Sequence, residues 1–205
     1  MKREEKNQQT RRRIMDSALN EFAQHGYGAG SVNSICAGQG ISKGIIYHYF
    51  RSKDDLYLAC VEECFQLLTQ HLKSCLAAGQ GPVEEQLEKY FAVRMNFFRE
   101  NPVYQPIFCE ASFSPPDHLK DKIQDRKQAF DMLNVDILES MLKHLALRPH
   151  ITKDEVVDTF RQYQDFINSK YQIVRINDEE FEKRDESCRK ALNILLYGVI
   201  EKEGK

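Results

Sequence analysis

The chain has 205 residues, a formal net charge of −2 and 41% hydrophobic residues, enough for one or two globular domains with a sizeable core. No run approaches the ~18 consecutive apolar residues of a membrane span, and the opening MKREEKNQQTRRR lacks the apolar centre of a secretory leader, so a cytoplasmic protein with no membrane partner is expected. The charge is uneven: residues 1–53 carry nine Lys/Arg against four Asp/Glu, a +5 head that leaves −7 on the rest, and a polyanionic partner would meet that head.

The spacing of apolar residues is helical almost throughout. Ile14, Ala18, Leu19 and Phe22 form the first stripe, and Gly26 supplies a stop. Ser31 caps a short second helix with Val32, Ile35 and Cys36 inward, and Gly40 ends it. Ser42 caps a third helix to about Phe50. Ser52, followed by Asp55, caps a long fourth helix over roughly 54–78 with Leu56, Cys60, Cys64, Leu67, Leu68, Leu72 and Leu76 inward. AAGQGP at 77–82 breaks the chain. A fifth helix follows from Val83 to Arg99, then a short one after Asn101-Pro102 that Pro115-Pro116 stops. Residues 117–147 read as a long helix ended by Pro149. Two more are expected at 153–172 and 178–201, with YQIVRIN at 171–177 as a frayed end and linker.

The segment GISKGIIYHYF (residues 40–50) carries the most information. A short helix, a three-residue link and a two-turn helix have the spacing of a helix-turn-helix. Residues four apart share a helix face, so Ile46 and Phe50 point inward against Ile35 and Phe22, while Lys43 and Tyr47 point outward. The outer chemistry is that of a groove reader. Lys43 reaches guanine acceptors or phosphate, Gly44 lets the backbone approach a duplex, and Ile45 meets a thymine methyl. Tyr47 and His48 donate to phosphates, and the amides that open the fourth helix, beside Lys53, suit another phosphate. A three-helix bundle without ligand is the plain alternative. The Arg11–Arg13 run is either a basic arm on the nucleic-acid backbone or a solvated helix start.

Residues 10–58 resemble the N-terminal domain of the tetracycline-repressor (TetR) family. The resemblance rests on Ala18, Phe22, Gly26-Tyr27, Ser31-Val32, Ile35, Gly40-Ile41-Ser42-Lys43-Gly44, Ile46-Tyr47, Phe50, Lys53 and Leu56. The remainder matches only in its layout of helices. Two departures stand out: Gly30, where a threonine is common, and Gly38-Gln39 in place of an alanine pair. Both are expected to soften the second helix slightly. The resemblance implies an all-α protein with a helix-turn-helix DNA-binding domain at 1–53 and a helical effector-binding and dimerisation domain at 54–205. It implies a homodimeric transcription regulator, most often a repressor, that a small-molecule effector releases from a palindromic double-stranded DNA operator. The family's contact positions fall on Asn33, Ser42, Lys43, Gly44, Ile45, Tyr47, His48 and Lys53. Its effector pocket lies among helices five to eight, where Phe91, Phe98, Phe108, Phe130 and Tyr163 are the expected lining, with polar contacts from Arg94, His118 or Gln162.

Stripes on the last two helices predict the dimer seam. Ile167 and Tyr171 belong to the first stripe, and Leu192, Leu195 and Val199 to the second, with Gly198 placed for close helix approach. Cys60, Cys64, His71 and Cys75 share one face of the fourth helix, but Cys60 and Cys75 stand roughly 22 Å apart at ~1.5 Å rise per residue. They fit one metal poorly and read as core fillers, with thiol redox sensing as the alternative. No cofactor is expected. The sequence has no phosphate-cradling glycine loop, HExxH, CxxC or Gly-x-Ser-x-Gly, so an enzyme is not expected. A helical ligand-binding or interaction module without operator binding is the alternative function.

Overall fold

The computed structural model describes residues 2–76, 81–143, 145–170 and 178–199. In chain order the helices are α1 (Lys2–Ala29), α2 (Val32–Gln39), α3 (Lys43–Tyr49), α4 (Lys53–Cys75), α5 (Val83–Glu100), α6 (Tyr104–Phe113), a single 3-10 turn (Asp117–Leu119), α7 (Lys120–Leu142), α8 (Lys153–Lys170) and α9 (Asp178–Val199).

Local chemistry sets most helix ends. The side chain of Ser31 accepts from the Asn33 amide at 3.1 Å, Ser42 from Ile45 at 3.4 Å and Ser52 from Asp55 at 3.1 Å, each satisfying a donor that the first helical turn leaves open. Gly40 closes α2 in the left-handed region at φ 61°, where glycine carries no steric penalty. At the start of the chain the outcome differs from expectation. Gly26 bends α1 instead of ending it: the backbone takes φ 69° there and the helix resumes to Ala29. The bend brings the Gly30 amide onto the Gly26 carbonyl at 3.0 Å. A Cβ on Gly30 would lie 2.7 Å from that carbonyl oxygen and 2.8 Å from the Phe22 ring. The glycine that looked like a softening departure is the residue this bend requires.

α1, α2 and α3 pack around Phe22, Ile35, Ile41, Ile46 and Phe50, all buried. Ser17 donates to the Ile35 carbonyl at 2.9 Å, and Glu21 accepts from the Ser31 amide at 2.9 Å, fixing α2 against α1. α4 runs from this head deep into the body. At 23 residues it is roughly 34 Å long, and its buried face includes Leu56, Cys60, Cys64, Phe65, Leu68 and Leu72. Leu67, expected inside, is exposed, because its neighbour Leu68 takes the inward position. The boundary expected between residues 53 and 54 falls at the first turn of α4, and one apolar core continues across it. In the body, Phe65 meets Phe108 and Phe130 with ring centres 5.6 and 5.4 Å apart. α7 starts and stops inside its expected range: Pro116 leads into the 3-10 turn, and the helix closes at Leu142. The 171–177 linker lies outside the described residues.

Candidate nucleic-acid interface and ligand cavity

α3 is held by its inner side and presented by its outer side. Ile46 is 1% exposed and Phe50 5% exposed, whereas Ile45 and Tyr47 are 42% and 46% exposed. Asn33, Ser42, Lys43, Gly44 and His48 are exposed as well. A Cβ at Gly44 would meet nothing within 4 Å, so the open space beside it belongs to solvent and not to the protein's own packing. Two large apolar side chains left in water on a two-turn helix, flanked by a lysine and a histidine, give the exposed side of α3 donors, a cation and methyl groups.

Lys53 stands apart from this face. Its ammonium lies 4.4 Å from the centre of the Tyr27 ring and 3.5 Å from the Gly28 carbonyl. The negative face of the ring holds the cation, so Lys53 braces the end of α1 against the start of α4. The arginine run also divides. Arg12 bonds Asp16 at 2.7 Å and Glu63 at 2.8 Å, pinning α1 to α4, while the Arg11 guanidinium sits 5.4 Å from the centre of the Phe50 ring. Neither the arm reading nor the solvated-start reading describes Arg12, which is a strut.

Behind the head lies a polar junction. The Tyr27 amide, just past the α1 bend, donates to both oxygens of Glu110 at 2.9 and 3.0 Å, and the Tyr57 hydroxyl donates to the same carboxylate at 2.8 Å. Burial pushes the Glu110 carboxyl above its ordinary range, against the opposing pull of these two donors. The Tyr27 hydroxyl donates to Asp54 at 2.5 Å. Burial and that bond raise the phenol to about 12, and the same bond is the main reason Asp54 is held below its usual range. His118, expected at the ligand pocket, lies here instead, its Nε2 3.1 Å from the Tyr27 hydroxyl and 3.5 Å from Asp54. The 3-10 turn carries it to the head side of the body.

A cavity of about 400 Å³ opens among α5, α6, α7, α8 and α9. Phe91, Arg94, Phe108, Phe130 and Tyr163 border it. Phe98 does not. It is 1% exposed, packed between Phe108 at 5.1 Å and Phe181 at 5.3 Å, and forms the backing of the wall. Gln162 is exposed on the outside of α8. The sequence reading missed Tyr90, whose hydroxyl meets Asn134 at 2.7 Å, and it missed Asp185. That aspartate reaches in from α9, is 9% exposed and pairs with Arg94, which also stacks near Phe91 at 4.9 Å. A signal was present: Phe181 and Asp185 are four residues apart, so the stripe that carries α9's phenylalanine inward carries a carboxylate with it.

Among the described residues no cluster of His, Cys, Asp or Glu is arranged to hold a metal ion. Cys60 and Cys64 are fully buried, and burial drives both thiols well above the ordinary range, leaving them protonated and inert. Cys75 is exposed.

The predicted dimer residues fall in different places. Leu192 is buried and borders the cavity, so it belongs to the protomer's own core. Leu195 is half-buried and Gly198 exposed, with nothing within 4 Å of its would-be Cβ. The side chains of Ile167 and Val199, and Tyr171 altogether, lie outside the described residues. Unforeseen on the same helix are Ile194, 72% exposed, and Tyr197, 55% exposed.

A helix-turn-helix head whose third helix is exposed on one side, joined by one long helix to a hollow helical body, defines a two-part all-α architecture. Residues 14–60 match the family model of bacterial regulatory proteins, tetR family. An HTH-type transcriptional repressor of Mycobacterium tuberculosis is 42% identical over 53 residues, 26% of this chain and 28% of that protein. The HTH-type transcriptional regulator UidR of Escherichia coli is 34% identical over 77 residues, 38% and 36% of the two chains. The matched region thus spans about a third of the length of these curated relatives. Across the body the likeness is one of fold: the transcriptional regulator FadR of Bacillus subtilis, solved in complex with stearoyl-CoA, superposes with a TM-score of 0.63 at 16% identity, covering 94% of this chain and 98% of that one. No helix among the described residues is long and apolar enough to cross a membrane.

Proposed function

We propose that the protein is a cytoplasmic DNA-binding transcription regulator, a repressor that acts as a homodimer on a palindromic operator and lets go when a small molecule fills the body cavity. The observation that carries the reading is α3: Ile46 and Phe50 anchor it while Lys43, Gly44, Ile45, Tyr47 and His48 stand exposed on its other side. Asn33 and Ser42 border that surface. In this reading Lys43 and Ile45 face base edges, and Tyr47 and His48 hold phosphates. Lys53 has a structural role first and would have to leave Tyr27 to touch DNA.

α6 supplies the route from cavity to head. Phe108 and Phe113 border the cavity, and Glu110 between them binds the amide at the α1 bend. A ligand that shifts α6 therefore moves the point on which the head is hung. An effector that prefers the free protein must weaken DNA binding by the same factor that DNA weakens effector binding. The aromatic wall supports an apolar or amphipathic effector. For the dimer, exposed Ile194 and Tyr197 beside Gly198 on α9 support a two-fold seam on that face.

In-vitro selection from a random duplex library tests the reading. The expected result is an enriched palindrome with half-sites about one helical turn apart, bound with a steep salt dependence. A library that emerges without enrichment would remove DNA reading from the function.

A further inference from the structure

We propose that the Arg94–Asp185 pair makes the body cavity selective for uncharged aromatic ligands and excludes anions. The proposal rests on the reading of that cavity as the ligand site and adds the charge rule by which it chooses. The cavity wall holds a cation that would otherwise be the obvious anchor for a carboxylate or sulfonate: Arg94 on α5, stacked near Phe91. That cation already has its counter-ion. Asp185 on α9 pairs with it, and their side chains are only 14% and 10% exposed. The second cation on the wall, Lys127, is matched in the same way by Asp131 at 3.1 Å, one turn along α7. Arg161 lies at the rim, with its side chain 57% exposed to solvent and near Asp158 at 3.7 Å.

The consequence follows from the energetics of buried charge. An entering anion would either compete with Asp185 for Arg94 or bring a second negative charge beside it. The first leaves a carboxylate buried without its partner, and the second adds like-charge repulsion in a poorly solvated space. Both are costly. An uncharged ring system meets neither cost. It finds the rings of Phe91, Phe108 and Phe130, and hydrogen-bonding groups on Asn134 and Tyr90. The pair that ties α9 to α5 is thus also the charge filter.

Two dyes with the same aromatic body test this: N-phenylnaphthylamine, which is neutral, and anilinonaphthalenesulfonate, which is anionic. Both gain fluorescence in apolar sites, and both are titrated into the full-length free protein. Wild type should bind the neutral dye at least tenfold more tightly. Val135→Trp, which fills the cavity from α7, should abolish that binding; bright neutral dye in this variant would place the site elsewhere and overturn the proposal. Asp185→Asn removes the counter-ion and should shift the neutral-to-anionic preference by at least tenfold towards the sulfonate. Should Asp185→Asn fail to fold, Arg94→Gln reads the same pair from the other side and should raise the preference for the neutral dye. Equal binding of the two dyes by wild type, no binding of the neutral dye, or a preference unmoved by the substitution that folds would each overturn the charge rule. A separate arm measures whether the neutral dye weakens binding to the selected operator. If the dye preferences hold and DNA affinity is unchanged, the filter stands and the release reading fails.

Discussion

Gly44 is a residue at which folding and the proposed DNA contact can be tested apart. It sits in the first turn of α3, exposed, with no protein atom where its side chain would be. Gly44→Glu should leave stability unchanged or raise it by about 0.5 kcal/mol, since an acidic group near a helix N-terminus is favoured there. The same carboxylate would face DNA phosphates, so operator affinity should fall at least tenfold; thermal unfolding and a gel shift on one preparation check both halves. Lys43→Ala should cost about 1–3 kcal/mol on the selected site if it reads a base, measured against a scrambled duplex. The cysteines offer a second residue-scale test. Buried Cys60 and Cys64 are kept protonated, and only the thiolate reacts, so brief alkylation of the native protein should label Cys75 and spare both. Mass spectrometry of the labelled peptides reads this directly, and native labelling of Cys64 would contradict the packing of α4.

Between elements, the junction of α1, α4 and α6 has a definite pH signature. The carboxyl of Glu110 is raised above its ordinary value by burial, so the folded state holds that proton more tightly than the unfolded chain does. Stability contributed here is greatest at acid pH and declines as pH rises above the ordinary carboxylate value of 4.5 towards the raised one. Asp54 runs the other way. Its value is lowered, chiefly by Tyr27, so its contribution is present above the ordinary value of 3.8 and lost as pH falls through the lowered one. Glu110→Gln should flatten the decline above pH 4.5 in urea-unfolding midpoints while leaving the acid limb set by Asp54. The α1 bend makes a steric prediction. Gly30→Ala places a methyl group against the Gly26 carbonyl and Phe22 and should cost about 1–3 kcal/mol, the usual penalty of forced overpacking.

At the scale of the whole molecule, α9 has apolar residues on two sides. Phe181, Asp185, Leu192 and Leu196 face the protomer's interior, and Ile194 and Tyr197 are left exposed. Ile194→Lys should yield monomers by light scattering at micromolar concentration, with far-ultraviolet circular dichroism unchanged because the residue is 72% exposed. Those monomers should lose tight binding to the palindrome, since one two-turn reading helix makes too few contacts alone. A dimeric Ile194→Lys protein would move the seam away from this face of α9.

Features that depend only on neighbours along the chain could be read before any tertiary contact was known. Ser31, Ser42 and Ser52 cap because each precedes a helical run and has an amide two or three residues on to satisfy. Gly40 ends α2 because only the local backbone matters there, and Ile46 and Tyr47 divide inside from outside by a rotation of one residue. The exposed face of α3 was legible for that reason. The body was not, because a helix with a wide apolar stripe does not state which neighbour each part of the stripe will meet. Leu192 and Ile194 are both apolar and two residues apart on α9, yet one is buried beside the cavity and the other is 72% exposed. Phe98 and Phe108 look equivalent until α9 brings Phe181 against the first. Gly30 read as a slight softening of α2 until the turn at Gly26 placed a carbonyl over it. Tertiary packing alone brought Asp185 to Arg94 across 91 residues of chain, and no periodicity within either helix encodes a contact of that range.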